Sequence, residues 1–182
     1  MKKINLWMLA AILFCGLTAT VLSSCSKDDD NSSSSDTNAA FTKIKIVYTA
    51  ETTQSTLDAF NVKAYRANSD GVTEPVTLSG TSWTETIEIP ASKAPCTIEM
   101  YMVTTPKDAT GTSSKLSFGV GKTVQVITLD ANGKEINAKK DGTVLHSSDI
   151  IDGTSLAEIA KNSNNGESRV IITIDKNGNI NK

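Results

Sequence analysis

His146 is the sole histidine of the chain, so any serine or cysteine nucleophile that relies on an imidazole base would have to use it. It stands in Leu145-His146-Ser147-Ser148-Asp149, a polar run that reads as a loop, and a solvent-facing histidine is the simpler expectation there. Catalytic zinc needs three protein ligands, commonly with histidines paired closely in sequence, and this chain has no such cluster. Glu85 and Glu88 are three positions apart. On one strand they point to opposite faces and cannot flank a single glycosidic bond. Glu85 alone falls on the apolar side of its segment, where true burial would perturb its pKa. Acids are rarely buried unless paired, so a carboxylate reaching water at a sheet margin is expected. Asp175-Lys176-Asn177-Gly178-Asn179 is rich in oxygen ligands, but an EF-hand loop wants glycine at its sixth position and glutamate at its twelfth. Here glycine is fourth, and the similar run Asp130-Ala131-Asn132-Gly133 also follows an apolar strand pattern, so both read as hairpin turns. Nothing in these letters calls for a metal or a cofactor.

The residues just named must be positioned by strands, because from residue 41 the dominant period is two. Ile44, Ile46 and Tyr48 alternate with Lys43, Lys45 and Val47, and Phe60, Val62 and Ala64 with Asn61, Lys63 and Tyr65. Trp83, Ile87 and Ile89 share a side opposite Thr84, Thr86 and Glu88, with Glu85 interrupting the apolar side and Pro90 ending the segment. Cys96, Ile98, Met100 and Met102 alternate with Thr97, Glu99, Tyr101 and Val103, which places Cys96 inward as a small hydrophobe and Tyr101 outward. Leu116, Phe118 and Val120 form another inward set, followed by strands over 123–129 and 168–175, the latter with Val170, Ile172 and Ile174 inward. A strand over 72–78 must lie at an edge, since Pro75 cannot donate to a ladder. Asp70-Gly71, Asn132-Gly133, Asp141-Gly142 and Asn177-Gly178 read as turns. Over 154–161 the period changes: Leu156, Ile159 and Ala160 fall at helical spacing, and Ser155 with Glu158 has the form of a capping box. The pattern predicts a mainly β domain over 41–182, an antiparallel β-sandwich of seven or eight strands, immunoglobulin-like or transthyretin-like, with one helix of two turns over a sheet end.

The first 40 residues have a different character. Lys2 and Lys3 precede an apolar run from Leu6 to Leu17, then small residues lead to Cys25, the order of an export signal. The run is about a dozen residues long, short of the roughly 20 that a spanning helix needs. Leu22-Ser23-Ser24-Cys25 resembles a lipobox, the cleavage motif of bacterial lipoprotein signals. That resemblance implies removal of residues 1–24, a diacylglyceryl group on the Cys25 thiol and usually an acylated amine. Two or three chains give a lasting anchor, where one holds only reversibly. Ser26-Lys27-Asp28-Asp29-Asp30 is similar to the acidic export signal of surface-exposed lipoproteins of Bacteroidota, which implies an outer-membrane protein facing outward. Residues 26–40, SKDDDNSSSSDTNAA, lack apolar periodicity and read as a tether. Within the folded part, Phe60-Asn61-Val62-Lys63-Ala64-Tyr65 and the later Trp83 are faintly similar to the first strands of fimbrillin-type, transthyretin-like sandwiches.

Charge narrows the partners. The chain carries 18 basic and 20 acidic residues, and loss of residues 1–24 would remove Lys2 and Lys3 and no acid, for a net of −4. That balance argues against nucleic acid or an anionic lipid surface as a ligand. The expected partners are the membrane, through the anchor at Cys25, and an extracellular protein or glycan. The leading expectation is a non-catalytic surface module for binding, adhesion or assembly. A glycan-binding accessory lipoprotein of a nutrient-uptake system would need Tyr65 and Tyr101 as an aromatic platform. A small hydrolase would need Glu85, Glu88 or Glu99 in a concave site.

Overall fold

A computed structural model describes residues 41–68, 70–166 and 169–182; Cys25, the signal region and the tether lie outside the described residues. Among the described residues ten antiparallel strands form two sheets. β1 (Lys43–Thr52), β5 (Ser82–Pro90), β7 (Ser117–Leu129) and β8 (Glu135–Asp149) make a four-stranded sheet in the order β5-β1-β7-β8. β2 (Phe60–Asn68), β3 (Gly71–Val72), β4 (Val76–Thr77), β6 (Cys96–Pro106), β9 (Val170–Ile174) and β10 (Ile180–Asn181) make the second, ordered β10-β9-β6-β2-β3 with β4 also paired to β2. The strand count exceeds seven or eight because β8 and β10 form where no strand was expected; the segment around Pro75 also breaks into two-residue pieces, β3 and β4, at the β2 edge, which offsets the fusion of two expected strands into β7. A proline that cannot donate leaves pairing only on either side of itself.

The core is the sum of the inward halves of these alternations. Ile44, Ile46, Tyr48 and Ala50 of β1 face Val62, Ala64, Ile98, Met100, Met102 and Ile172 of the other sheet, and all are buried. The Tyr48 hydroxyl donates to the Ala67 carbonyl at 3.3 Å, so the ring is buried without orphaning its polar end. Trp83, Ile87 and Ile89 also point inward, as their alternation requires. β5 is an edge strand, however, and Trp83 packs only partly buried against the core.

Three features depart from the sequence reading. The patterns at 115–120 and 123–129 are one strand, β7, whose ladder with β8 shifts register between Val120 and Lys122. The run Leu145–Asp149 is not a loop, and Asp141-Gly142 is not a turn: both belong to β8, where His146 pairs with Val120 and Gly142 with Thr123. Gly142 has φ +134°, and a Cβ there would collide with the Lys122 carbonyl oxygen and lie 2.7 Å from Thr123 Cα, so a turn-like letter pair serves instead as a close contact inside a ladder. A second helix, α1 (Gln54–Ala59), separates β1 from β2. Thr53 caps it by accepting from the Thr56 amide, and Thr52, Thr53 and Thr56 hydrogen-bond to β7 backbone at Ser117 and Gly119.

The predicted helix is present as α2 (Leu156–Gly166), a turn longer than its pattern suggested. Its buried Leu156, Ile159 and Ala160 join the core. β9 pairs with β6 only from Cys96 to Met100. Beyond that point the Asn164 side chain takes over: its Oδ1 accepts from the Thr104 amide at 2.9 Å and its Nδ2 donates to the Thr104 carbonyl at 2.9 Å. One amide side chain thereby supplies both halves of a missing ladder step.

Candidate functional site

Tyr65 and Tyr101 are direct cross-strand partners on the outer face of the second sheet. Their rings stand 4.8 Å apart at an interplanar angle of 4°, a parallel stack. On the far side of Tyr101 the Arg169 guanidinium lies 4.6 Å from the ring centroid. That position follows from register: Met100 pairs with Val170, so Arg169, one step earlier, is level with Tyr101 across the β6–β9 ladder. Arg169 also forms an ion pair with Glu99, two residues before Tyr101 on the same face. The result is a row running across β2, β6 and the residue just ahead of β9, Arg169 over Tyr101 over Tyr65, combining cation–π, ring stacking and a charge pair.

The row changes what the tyrosines can do. A sugar packs against an open ring face, and Tyr101 has one face covered by Tyr65 and the other by Arg169. The outer side of Tyr65 is the remaining stacking surface of the pair. What the row presents outward is ring edges, hydroxyls and a guanidinium set in an exposed, mostly polar sheet face that includes Lys63, Thr97 and Thr173. Sequence alternation identified both tyrosines as outward. Arg169 was missed, because its role depends on which strand neighbours β6.

The carboxylates weighed for hydrolysis stand apart, each with a cation. Glu85 points inward at the β5 margin and holds Arg66, whose Nη2 donates to Oε1 at 3.0 Å while Nε faces Oε2. The same guanidinium lies 5.3 Å from the Trp83 ring centroid. Arg66 thus explains how an acid sits on an apolar face: it is paired, forked and shielded by an indole. Glu88 is on the opposite face of β5, 3.3 Å from Lys43 Nζ, and Glu99 belongs to the other sheet. A shallow cavity of about 380 Å³ lies near Glu88, Asp130 and Glu135, with Lys43 and Lys45 among its walls.

The remaining candidates fall into structural roles. Cys96 is buried in the core, and burial pushes its thiol above the usual range. His146 is exposed on β8. Asp175 Oδ1 accepts from the Asn177 and Asn179 amides and its Oδ2 from Asn179 Nδ2, hydrogen bonds that hold its carboxyl below the ordinary range. Asp130 binds the Asn132 and Lys134 amides in the same way. Each carboxylate thus braces its own turn, Asp175 through both oxygens and Asp130 through Oδ1. Among the described residues no three His, Cys, Asp or Glu side chains converge as a metal-binding group. Comparison of the chain with protein families, with curated proteins and with solved structures finds no match to any of them.

Proposed function

We propose that the protein is a lipoprotein held to the outer membrane through acyl chains on Cys25, displaying its β-sandwich on the cell surface as a non-catalytic module for binding, adhesion or assembly. The address comes from the order of charge, apolar run, small residues and cysteine over 1–25, and from the acidic run 28–30 behind it. The observation that carries the module reading is the state of Glu85, Glu88 and Glu99. Each is committed to its own cation, and they lie on three different faces, whereas acid–base hydrolysis needs two carboxyls across one bond. The Arg169–Tyr101–Tyr65 row then offers the recognition surface, and its covered ring faces favour a protein partner over a glycan.

Three measurements test this. Metabolic labelling with a fatty-acid analogue should mark the full chain and fail on Cys25→Ala, while protease shaving of whole cells should remove the domain. Labelled extracellular proteins should bind cells carrying the natural chain and bind cells carrying Tyr65→Ala less, while labelled glycans should not distinguish the two. Label that persists on Cys25→Ala sinks the anchor, and equal binding by the two chains removes the tyrosine face from the reading.

A further inference from the structure

β8 is the outermost strand of its sheet, and among the described residues no strand pairs with its far edge. Such an edge is a row of unpaired amides and carbonyls ready for another strand. Two bulges interrupt it. Between Val120↔His146 and Lys122↔Thr143, β8 spends three steps where β7 spends two; between Thr128↔Asn137 and Leu129↔Glu135 it spends two where β7 spends one. The stretch between the bulges, Asn137 to Thr143, runs in unbroken register, and its midpoint is Lys140.

We infer that the protein self-associates through this edge, two copies of β8 pairing antiparallel about a two-fold axis at Lys140. An isologous pair must match the strand with itself, and only the register centred on residue 140 uses the whole unbroken stretch. It sets Asn137 opposite Thr143 of the second copy, Ala138 opposite Gly142, and Lys139 opposite Asp141. Lys139 and Asp141 pair with Val126 and Val124, so both lie on the inward face and meet as opposite charges, twice by symmetry. At the two bulges themselves, the same register brings Ile136 of one copy level with Val144 of the other. These are two of the few exposed large apolar residues of the domain, 39% and 65% accessible. Ala138 opposite Gly142 keeps the outer face uncrowded. The ties from β8 to the β10 region, Asn137 to the Gly178 carbonyl and Lys182 to Asp141 Oδ1, come from its inward face, and the Asp141 carboxylate has a second oxygen for Lys139 of the other copy.

Lys140 meets its own copy at the axis, so the pair is weak in dilute solution. Confinement on a membrane supplies the missing concentration, and in this respect the inference rests on the lipoprotein reading. The test uses the full chain on intact cells. Opposed strand positions have Cα atoms about 4.5–5.5 Å apart, within disulfide reach, so Lys140→Cys should give a dimer band under mild oxidation. Lys134→Cys, at the exposed β7–β8 turn and off the axis, should not, and the natural chain reports any band through Cys25 or Cys96. Adding Lys139→Asp to Lys140→Cys turns both attractive pairs repulsive and should lower the band about tenfold. Co-production with a chain carrying Lys140→Cys and Asp141→Lys should restore it, since each acid of one chain then faces a lysine of the other. A band from Lys134→Cys as strong as from Lys140→Cys, or charge variants without effect, overturns the register. Fatty-acid label on the same samples separates the two readings: if label is absent, the oxidation is repeated on purified full chain at high concentration. No Lys140→Cys band there overturns the self-association itself.

Discussion

β1 and β8 flank the same strand, β7, and share almost nothing else. β1 pairs with β7 over ten consecutive residues without a register shift, and its inward side chains are buried. β8 pairs over a similar length with two bulges, and most of its residues are exposed on both faces. One strand is held by what its side chains bury, the other by the backbone template beside it. The contrast teaches that strand formation has two sources, a burial pattern written in the strand's own letters and an unpaired edge offered by a neighbour.

The sharpest way to break the comparison is a matched pair of truncations. Ile46→Ala empties a fully buried site and should cost about 2–5 kcal/mol, whereas Val144→Ala on β8 should stay within about 0.5 kcal/mol. Denaturant melts of both full chains decide it, and similar losses would mean that β8 carries core packing after all.

Next comes Gly142→Ala. It combines φ +134° with a Cβ driven into the Lys122 carbonyl oxygen, a strain of about 1–3 kcal/mol or more. Because β8 hangs on its ladder rather than on burial, the loss should be local. Hydrogen exchange should quicken in β8 while the amides of β1 keep their protection; uniform quickening would show one cooperative unit.

The turns leading into β8 and β10 repeat the contrast on a smaller scale. Gly133 and Gly178 have φ +78° and +83° in identical Asp-x-Asn-Gly settings, but Gly133 faces open space and a Cβ at Gly178 would meet the Phe41 ring at 2.7 Å. Gly133→Ala should cost about 1–2 kcal/mol from backbone strain alone, and Gly178→Ala about 1 kcal/mol more from crowding. Thermal melts ordered the other way would remove Phe41 from the account.

The smallest effect is electrostatic. The hydrogen bond from Lys182 holds the Asp141 carboxyl below the usual carboxylate range, helped by the Gly142 amide. A depressed folded-state pKa stabilises above the unfolded value, and that contribution is lost as pH falls through the folded value. Asp141→Asn should therefore melt slightly lower than the natural chain near neutrality and converge with it in acid. A gap that widens on acidification would reverse the sign.

Legibility in the sequence followed the same divide. The inward sets of β1, β2, β6 and β9 could be read because alternating apolar residues mean burial wherever they occur. β8 could not, since EINAKKDGTVLHSSD has no apolar side and its Asp-Gly pair imitates a turn. α1 hid in a polar stretch whose only signal is Thr53 ahead of Thr56, a cap without the glutamate that would announce it. Of the outward face, alternation gave Tyr65 and Tyr101 but not their partner.

By itself the sequence determined the class of the domain, the inward residues of its central strands, the two Asp-x-Asn-Gly turns and the inward position of Glu85. Each of these depends on interactions within a few residues or on a period of two. Tertiary structure alone decided that β9 neighbours β6, which sets Arg169 on Tyr101. It also decided that Arg66 reaches across to Glu85, and that β7 has a free edge for β8 to occupy. Those outcomes depend on which strands become neighbours, a choice made by the fit of whole faces and not by any local run of letters.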